Sequence, residues 1–228
     1  MKDEYLKRTL GLLGEENFQK LSEITILVCG LGGVGGTAFE ALMRSGVKHF
    51  IIVDFDVVDP SNLNRQILYT EKDINKLKVE CAKQHILNID NSISVVSMNT
   101  KIDESIGAAL DHFEIDYIVD AIDDGKGKVA LAKNAYKHDI PYIMSLGMAN
   151  RFDPTKVVIE RLDKTTDDPL AKKIRYEFKK EGIETNKIMC VVSKEKPQKD
   201  DANLNSMMLV PSSAGLAMAY HLISHFIK

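Results

Sequence analysis

The sequence predicts an α/β fold in which a doubly wound, mostly parallel sheet carries helices on both faces. Two observations lead to this prediction. Short apolar runs rich in β-branched residues alternate with segments of helical spacing, and a glycine-rich turn follows the first of these runs. Strands separated by helices require crossover connections, which produce a parallel sheet. We therefore expect a Rossmann-like fold, extended by further strands near the C-terminus.

Five apolar runs in the first two thirds of the chain predict buried strands, and the segments between most of them have helical spacing. The strands are predicted at residues 24–29, 49–54, 92–98, 116–122 and 140–146. The helices are predicted at residues 33–45, 73–90 and 126–138.

The alternation changes in the last third of the chain. Further strands are predicted at residues 155–162 and 187–193, with a helix between them at 168–182. Asp168 is the predicted N-cap of that helix, and Gly182 is predicted to end it. This part of the chain therefore extends the sheet.

Two further features complete the C-terminal part. Residues 194–206 have no periodicity, and we expect them to form a mobile loop. A last apolar helix is predicted to begin at Pro211 and to run to residue 227.

Composition excludes several classes of protein. The 30 basic and 33 acidic residues give a net charge of −3, so the chain as a whole is not a polyanion binder. No apolar run approaches the length of about 20 residues that a membrane-spanning helix needs, and the N-terminus is too polar for a secretory signal. The three cysteines form no CxxC pair, which argues against zinc and disulfide sites. We expect a cytoplasmic protein that does not associate with a membrane.

The first predicted strand leads directly into the glycine-rich segment GLGGVGG at residues 30–36. Gly30, Gly32 and Gly35 match the pattern G-x-G-x-x-G, and Gly33 adds to it. Such a turn lets the backbone approach a phosphate closely, and the following helix presents free N–H groups to that phosphate. The pattern favours a nucleotide site over a tight turn without a ligand.

The second predicted strand ends in Asp54, whose carboxylate is placed to accept the hydroxyl groups of a ribose. This feature suits a nicotinamide cofactor and ATP equally. The polar loop that follows favours ATP, because Arg65 offers a planar guanidinium to phosphates and Lys78 adds a second cation. Asp56, Asn62 and Gln66 complete this predicted site. The alternative is a solvated loop.

The fourth predicted strand ends in the segment VDAIDD, where Asp123 lies at the carboxyl end of the sheet. Ligands bind at this edge in doubly wound folds. Asp123 is therefore a candidate ligand for a Mg²⁺ ion that bridges phosphates. The alternative is that Asp123 caps the next helix.

With these residues assembled, the chain resembles the ubiquitin-activating-like adenylyltransferase superfamily. Its shared motifs are a glycine loop, a D-x-D strand end, an S-N-L-x-R-Q segment, a lysine in the following helix and a late aspartate. In this chain they correspond to GLGGVG, Asp54 to Asp56, Ser61 to Gln66, Lys78 and Asp123.

The resemblance implies a role for each residue. Asp54 holds the ribose, Asn62 and Arg65 hold the phosphates, Lys78 lies near the α-phosphate, and Asp123 binds Mg²⁺. It also implies that an N-terminal arginine crosses to the ATP site of the partner in a homodimer. Residues 8–21 resemble that segment, so Arg8 is the candidate, whereas Tyr5 occupies the position of the family's usual first arginine.

The second half of the chain resembles the tRNA threonylcarbamoyladenosine dehydratase branch of this superfamily. The resemblance is carried by residues 151–183, CVVSKEKP and LVPSSAGLAMA. It implies that ATP activates a carboxylate on a modified tRNA, which then cyclises and releases AMP. The alternative is activation of a ubiquitin-like sulfur-carrier protein, whose enzymes typically have two CxxC pairs. A sulfur-transfer or redox protein is a further possible partner.

The motifs and the resemblance together predict one domain over residues 1–228. Within it we expect an N-terminal helical arm at 1–21, a nucleotide-binding core at 22–150, and a substrate-side extension at 151–228 that includes the loop 194–206.

Two further sets of residues concern the substrate. A cluster of basic residues is suited to tRNA phosphates, although a solvated helix face explains it nearly as well. The cluster consists of Lys172, Lys173, Arg175, Lys179, Lys180, Lys187, Lys194, Lys196 and Lys199. Cys190 is an alternative covalent nucleophile, but its apolar neighbours favour packing in the core.

Overall fold

A computed structural model of the chain describes residues 4–166, 168–198 and 204–227. Seven strands in these ranges form one sheet. The strands are β1 (Thr25–Cys29), β2 (His49–Val53), β3 (Ser94–Met98), β4 (Tyr117–Asp120), β5 (Tyr142–Ser145), β6 (Val157–Arg161) and β7 (Met189–Ser193). Every strand predicted from the sequence is present.

Eight α-helices connect or flank the strands within the described ranges. They are α1 (Lys7–Leu13), α2 (Glu15–Glu23), α3 (Gly33–Arg44), α4 (Lys78–Ile89), α5 (Ile106–Leu110), α6 (Gly125–Lys137), α7 (Pro169–Lys180) and α8 (Leu209–Phe226). In the described part of the chain, no helix is long and apolar enough to span a membrane.

The strand order is β3-β2-β1-β4-β5-β7-β6. All neighbouring pairs are parallel except β6 and β7, which are antiparallel. The chain reverses direction across the sheet between β3 and β4, which places a ligand-binding crevice at the carboxyl ends of β1 and β4. The predicted doubly wound fold with C-terminal strands is confirmed.

Helices cover both faces of the sheet, which explains why the central strands are continuously apolar. On one face the core includes Phe39 of α3 and Met218 of α8. On the other face it includes Leu131 of α6 and Phe178 of α7. Gly215 lets α8 pack closely on α3, because a Cβ there would lie 2.4 Å from the carbonyl oxygen of Val34.

The prediction of a helix from residue 73 was wrong at its start. Glu71–Asp73 is a single 3-10 turn, Asn75 has a positive φ of 66°, and α4 begins at Lys78. Helical spacing alone could not locate this start, because the apolar Ile74 and Leu77 fit the pattern without being helical. The consequence is that Lys78 occupies the first turn of α4, where the helix dipole is positive.

Three smaller differences from the prediction concern the start of α8, the end of α7 and the short helix α5. Helix α8 begins at Leu209, so Pro211 lies in its first turn, where the missing N–H costs nothing. Helix α7 has the predicted cap, since Asp168 accepts a hydrogen bond from the Ala171 N–H, but Glu181 ends it and Gly182 follows. The short helix α5 was not predicted. Of the loop predicted at 194–206, residues 194–198 and 204–206 are described, and 199–203 lie outside the described residues.

The N-terminal arm packs on its own domain. Leu6 and Leu21 are fully buried, and the Tyr5 hydroxyl donates a hydrogen bond to Asp90 at 2.8 Å. Asp90 also pairs with Lys48 at 2.6 Å. Arg8 is exposed on α1. The arm is therefore anchored near the amino ends of β2 and β3, at the end of the sheet opposite the crevice.

The turn between β1 and α3 depends on Gly30. Its φ of +84° lies in the left-handed region, and a Cβ there would lie 2.7 Å from the Ala121 carbonyl oxygen. Gly182 has a similar φ of +70° but has open space around it. A side chain at Gly182 would cause backbone strain alone, whereas a side chain at Gly30 would cause both backbone strain and a steric clash.

We expect Gly182→Ala to lower the free energy of unfolding by about 1–2 kcal/mol, which is the cost of left-handed backbone alone. Gly30→Ala adds a clash with rigid backbone, so we expect a loss of about 3 kcal/mol or more. Urea denaturation of both variants measures the difference. Equal losses would contradict the steric argument.

Candidate active site

A cavity of about 590 Å³ lies at the carboxyl ends of the central strands. It brings together almost all the residues that the sequence predicted for a nucleotide site. Those that line it are Gly30, Gly32, Gly33, Asp54, Asp56, Asn62, Arg65, Gln66, Lys78 and Asp123. Gly35 and Arg8 do not line it, whereas the unpredicted Phe55, Thr100, Lys101 and Ile102 do.

The glycines of the loop have different tasks. Gly33 lets the segment 61–66 approach, because a Cβ there would lie 3.1 Å from the Arg65 carbonyl oxygen. Gly35 serves packing rather than contact with a ligand, since its Cβ would lie 1.8 Å from the Gly30 carbonyl oxygen. Helix α3 begins at Gly33, so its free N–H groups face the cavity.

Asp54 ties the end of β2 to the glycine loop. Its carboxylate accepts hydrogen bonds from the backbone N–H of Leu31 at 2.6 Å and of Asp56 at 2.9 Å. Burial raises the pKa of Asp54, while the nearby charge of Lys78 and the two N–H donors oppose that rise. A carboxylate has about four acceptor positions, so two are left for hydroxyl groups of a ligand.

Lys78 is held at the cavity wall by two contacts with Asp56. Its Nζ lies 2.9 Å from Asp56 Oδ2, and its backbone N–H donates to the Asp56 carbonyl oxygen at 3.0 Å. The Lys78 side chain is only 7% exposed, whereas that of Asp56 is 48% exposed. This ammonium group therefore adds positive charge to the start of α4, where the helix dipole is also positive.

Arg65 is oriented entirely by neutral groups. Its Nη1 donates to the Ser61 carbonyl oxygen and to Asn64 Oδ1, both at 2.9 Å. Among the described residues no carboxylate pairs with this guanidinium, so its charge is available to an anion. The turn that carries it is fixed by Asn62, whose Oδ1 accepts from the Asp59 N–H at 3.2 Å.

Gln66 has an unsatisfied buried atom in this cavity wall. Within the described residues, its Oε1 is the buried side-chain oxygen or nitrogen that has no hydrogen-bond partner. Such a group is costly unless a ligand supplies a donor. Tyr69, one turn further along, supports the loop by donating to the Leu31 carbonyl oxygen at 2.9 Å.

Asp123 does not cap helix α6, as the alternative interpretation required. The cap is Asp124, which accepts from the N–H groups of Lys126 at 3.4 Å and Gly127 at 3.0 Å. The Asp123 side chain is exposed at the cavity. No group of three candidate metal ligands occurs in the described ranges. A single carboxylate still suits Mg²⁺, which commonly binds one or two carboxylates together with phosphates and water.

A buried ion pair below this turn was not predicted as part of the site. Lys128 and Asp120 are fully buried, with Nζ and Oδ1 2.8 Å apart. Asp120 also accepts from the Ile122 N–H at 3.1 Å and from the Tyr142 hydroxyl. Burial and the adjacent carboxylate raise the pKa of Tyr142, so it acts as a donor here. These contacts fix the turn that carries Asp123.

A second buried ion pair shapes the opposite wall. Arg151 contacts Asp168 at 3.3 Å and donates to the carbonyl oxygens of Gly147 and Glu195. This holds the loop after β5 against the start of α7. That wall is formed by Ser145, Leu146, Gly147, Met148, Ala149, Leu170, Leu204, Ser206 and Pro211. It is less polar than the wall with Arg65 and Lys78.

Cys190 is placed as a core residue. It is fully buried, its thiol donates to the Glu160 carbonyl oxygen at 3.1 Å, and it does not line the cavity. Burial raises the pKa of this thiol to about 12, so it is protonated at neutral pH. A thiol is a nucleophile only as the thiolate, so this geometry favours the packing interpretation.

The fold and the site together define a nucleotide-binding α/β enzyme. The chain belongs to the ThiF family, whose sequence profile matches residues 6–226. It is 35% identical over 234 residues to the tRNA threonylcarbamoyladenosine dehydratase of Bacillus subtilis, covering 95% of this chain and 92% of that protein.

Two solved structures are similar over almost the whole chain. The tRNA N6-threonylcarbamoyladenosine dehydratase of Escherichia coli in complex with AMP superposes with a TM-score of 0.93 at 28% identity, covering 99% of this chain and 94% of that one. The same protein in complex with ATP gives a TM-score of 0.92 at 27% identity, with the same coverage. These findings confirm the predicted family.

Replacing Lys128 tests whether the buried Asp120–Lys128 pair fixes the turn that carries Asp123. We expect Lys128→Met to lower the free energy of unfolding by about 3–5 kcal/mol, because it leaves a buried carboxylate without its cation. The exposed neighbour Lys126 is the matched control, and Lys126→Met should change stability by less than about 0.5 kcal/mol. Chemical denaturation measures both. A Lys128→Met loss as small as the control's would show that the pair does not fix the turn.

Proposed function

We propose that this protein is an ATP-dependent tRNA threonylcarbamoyladenosine dehydratase that acts in the cytoplasm. The observation that carries the proposal is a cavity with two unlike walls. One wall combines a glycine turn, Asp54, Arg65, Lys78 and Asp123, as a nucleoside triphosphate requires. The other wall is less polar and opens to an acyl substrate. Likeness over the full chain to dehydratases from two bacteria supports this choice.

The nucleotide occupies the wall built by the 22–150 core. Asp54 accepts the ribose hydroxyls, and the N–H groups at the start of α3 face the phosphates. Asn62, Arg65, Gln66 and Lys78 surround the phosphates. Asp123 would hold a Mg²⁺ ion, which would supply further positive charge to the phosphates. Two cations and a helix N-terminus neutralise the charge that builds up when pyrophosphate leaves. The acyl side is formed jointly by residues 145–149 of the core and by the extension 151–228, which contributes Leu170, Leu204, Ser206 and Pro211.

The first chemical step is attack by the threonine carboxylate of the modified adenosine on the α-phosphate of ATP. Pyrophosphate leaves, and an acyl-adenylate forms. Arg65 and Lys78 contribute by holding the phosphates in line and by stabilising negative charge. The mixed anhydride makes the former carboxylate carbon electrophilic, which prepares it for the second step.

In the second step the neighbouring carbamoyl group attacks that carbon, closes a five-membered ring and expels AMP. The net change is loss of one water from the tRNA. An attached nucleophile has a high effective molarity, so the enzyme needs no nucleophile of its own. The burial of the protonated Cys190 thiol agrees with this intramolecular route.

We expect Arg65→Ala and Lys78→Ala each to lower kcat for dehydration by about 10²–10³-fold, because each removes a cation from the developing charge. Lys76→Ala is the matched control, since Lys76 is exposed and pairs only weakly with Asp73 at 3.6 Å. Mass spectrometry of digested tRNA measures the product, and circular dichroism checks the fold. Near-normal turnover in a folded Arg65 or Lys78 variant would contradict the assigned roles.

We also propose a homodimer in which Arg8 completes the partner's site. Arg8 is exposed, lies on an arm anchored away from the cavity, and does not line the cavity of its own chain. An arginine that acts only in its own chain has no path to the phosphates from there. A two-fold interface would bring two such arms to equivalent sites.

Subunit mixing tests this arrangement. Arg8→Ala and Lys78→Ala proteins should each be inactive alone, but their heterodimers should recover activity, because one of the two composite sites is intact. Activity is measured after subunit exchange has been verified with distinguishable tags. An inactive mixture despite exchange, or an active monomer in sedimentation, would rule out the shared site.

A further inference from the structure

The exposed face of helix α7 combines positive charge with an aromatic side chain. We call this surface the α7 basic face, and it consists of Lys172, Lys173, Tyr176, Lys179 and Lys180. All five residues are exposed, and Tyr176 retains 60% of its accessible surface. The buried side of the same helix, with Ile174 and Phe178, packs into the core. The chain as a whole has a net charge of −3, so this local excess of positive charge is not a general property of the surface.

The structure divides the basic residues that the sequence grouped together. Lys187 pairs with Glu184, and Lys194 pairs with Glu160. Arg175 is half-buried and donates to the Leu162 and Thr165 carbonyl oxygens, so it supports the fold. Lys199 lies outside the described residues.

By contrast, three lysines of the α7 basic face have no carboxylate partner among the described residues. They are Lys172, Lys173 and Lys179. Lys180 pairs only loosely with Glu177, at 3.6 Å, and lies 4.2 Å from the centre of the Tyr176 ring. The face therefore keeps most of its charge for an external anion.

The α7 basic face starts at the rim of the active-site cavity. Leu170, in the first turn of α7, lines the cavity. Lys173 passes beside Gly125 at the start of α6, where an added Cβ would lie 3.7 Å from Lys173 Cε. Eight residues further along the chain in each case, Lys133 of α6 pairs with Glu181, which directly follows α7. The helices therefore run side by side away from the cavity, and the face extends about 12 Å along α7.

We propose that the α7 basic face binds the RNA that surrounds the modified nucleotide while that nucleotide occupies the cavity. Lysines contact backbone phosphates, and Tyr176 offers a ring on which an unpaired base or a ribose can pack. Charge complementarity and continuity with the cavity both select a nucleic acid as the occupant. This inference rests on the proposed function, because it takes the substrate to be tRNA.

Binding of tRNA that carries threonylcarbamoyladenosine, measured by fluorescence anisotropy over a range of salt concentrations, tests the proposal. The test variant is Lys172→Gln with Lys179→Gln. The control is the single change Lys137→Gln. Lys137 is exposed in the last turn of α6, at the end of that helix remote from the cavity.

For the double variant we expect the salt dependence, log Kd against log salt, to become shallower by about two, one for each lost phosphate contact. Its Kd for tRNA should rise at least about fivefold at low salt. Its Kd for ATP, measured by calorimetry, should not change. Lys137→Gln should match the wild type in all three quantities. Tyr176→Ala should weaken tRNA binding with no change in slope.

An unchanged Kd and slope in the double variant would overturn the proposal, as would an equal effect of Lys137→Gln. The product assay keeps this outcome separate from failure of the proposed function. If the wild type binds tRNA through this face but removes no water, the dehydratase activity is wrong and the binding face stands. If the wild type forms product and the double variant binds tRNA normally, the binding face is wrong and the activity stands.

Discussion

The site depends on one steric constraint, the contact between the glycine turn after β1 and the end of β4. Gly30 lies so close to the Ala121 carbonyl oxygen that no side chain fits between them. This contact sets the direction in which α3 leaves the sheet and opens the crevice beside the turn. Asp54 holds the same turn from the other side through the Leu31 N–H. The shape of the crevice beside the glycine turn is therefore decided by the backbone.

The charged groups around the cavity fall into two kinds. Asp120 and Lys128, and likewise Arg151 and Asp168, are buried and satisfied by one another, so they hold the walls in place. Arg65 and Asp123, in contrast, face the cavity without an oppositely charged partner among the described residues. Charges that are left unpaired at a concave surface are the ones free to bind a ligand. The buried pairs thus hold the walls, Lys78 is oriented by Asp56, and Arg65 and Asp123 remain available to a ligand.

Much of the fold could be predicted from the sequence, because the strands are short, continuously apolar and separated by helices. That one cavity wall gathers Asp54, Arg65, Lys78 and Asp123 was also predictable, since these residues lie in one loop, near strand ends and at the start of α4. Lys128 could not be assigned in this way. Its spacing with Leu131 and Ala135 places it on the buried side of α6, but only the tertiary structure shows that Asp120 lies opposite. Arg151 and Asp168 are likewise separate in sequence and meet only because the loop after β5 lies against the start of α7.

Modified tRNA, rather than a carrier protein, is the proposed partner of ATP in this cavity. ATP–pyrophosphate exchange tests this most directly, because it reports formation of the acyl-adenylate whichever acid is activated. We expect exchange when tRNA carrying threonylcarbamoyladenosine is added, and none with the same tRNA lacking the modification. Exchange that requires the C-terminus of a ubiquitin-like carrier protein, and that modified tRNA does not support, would contradict the account.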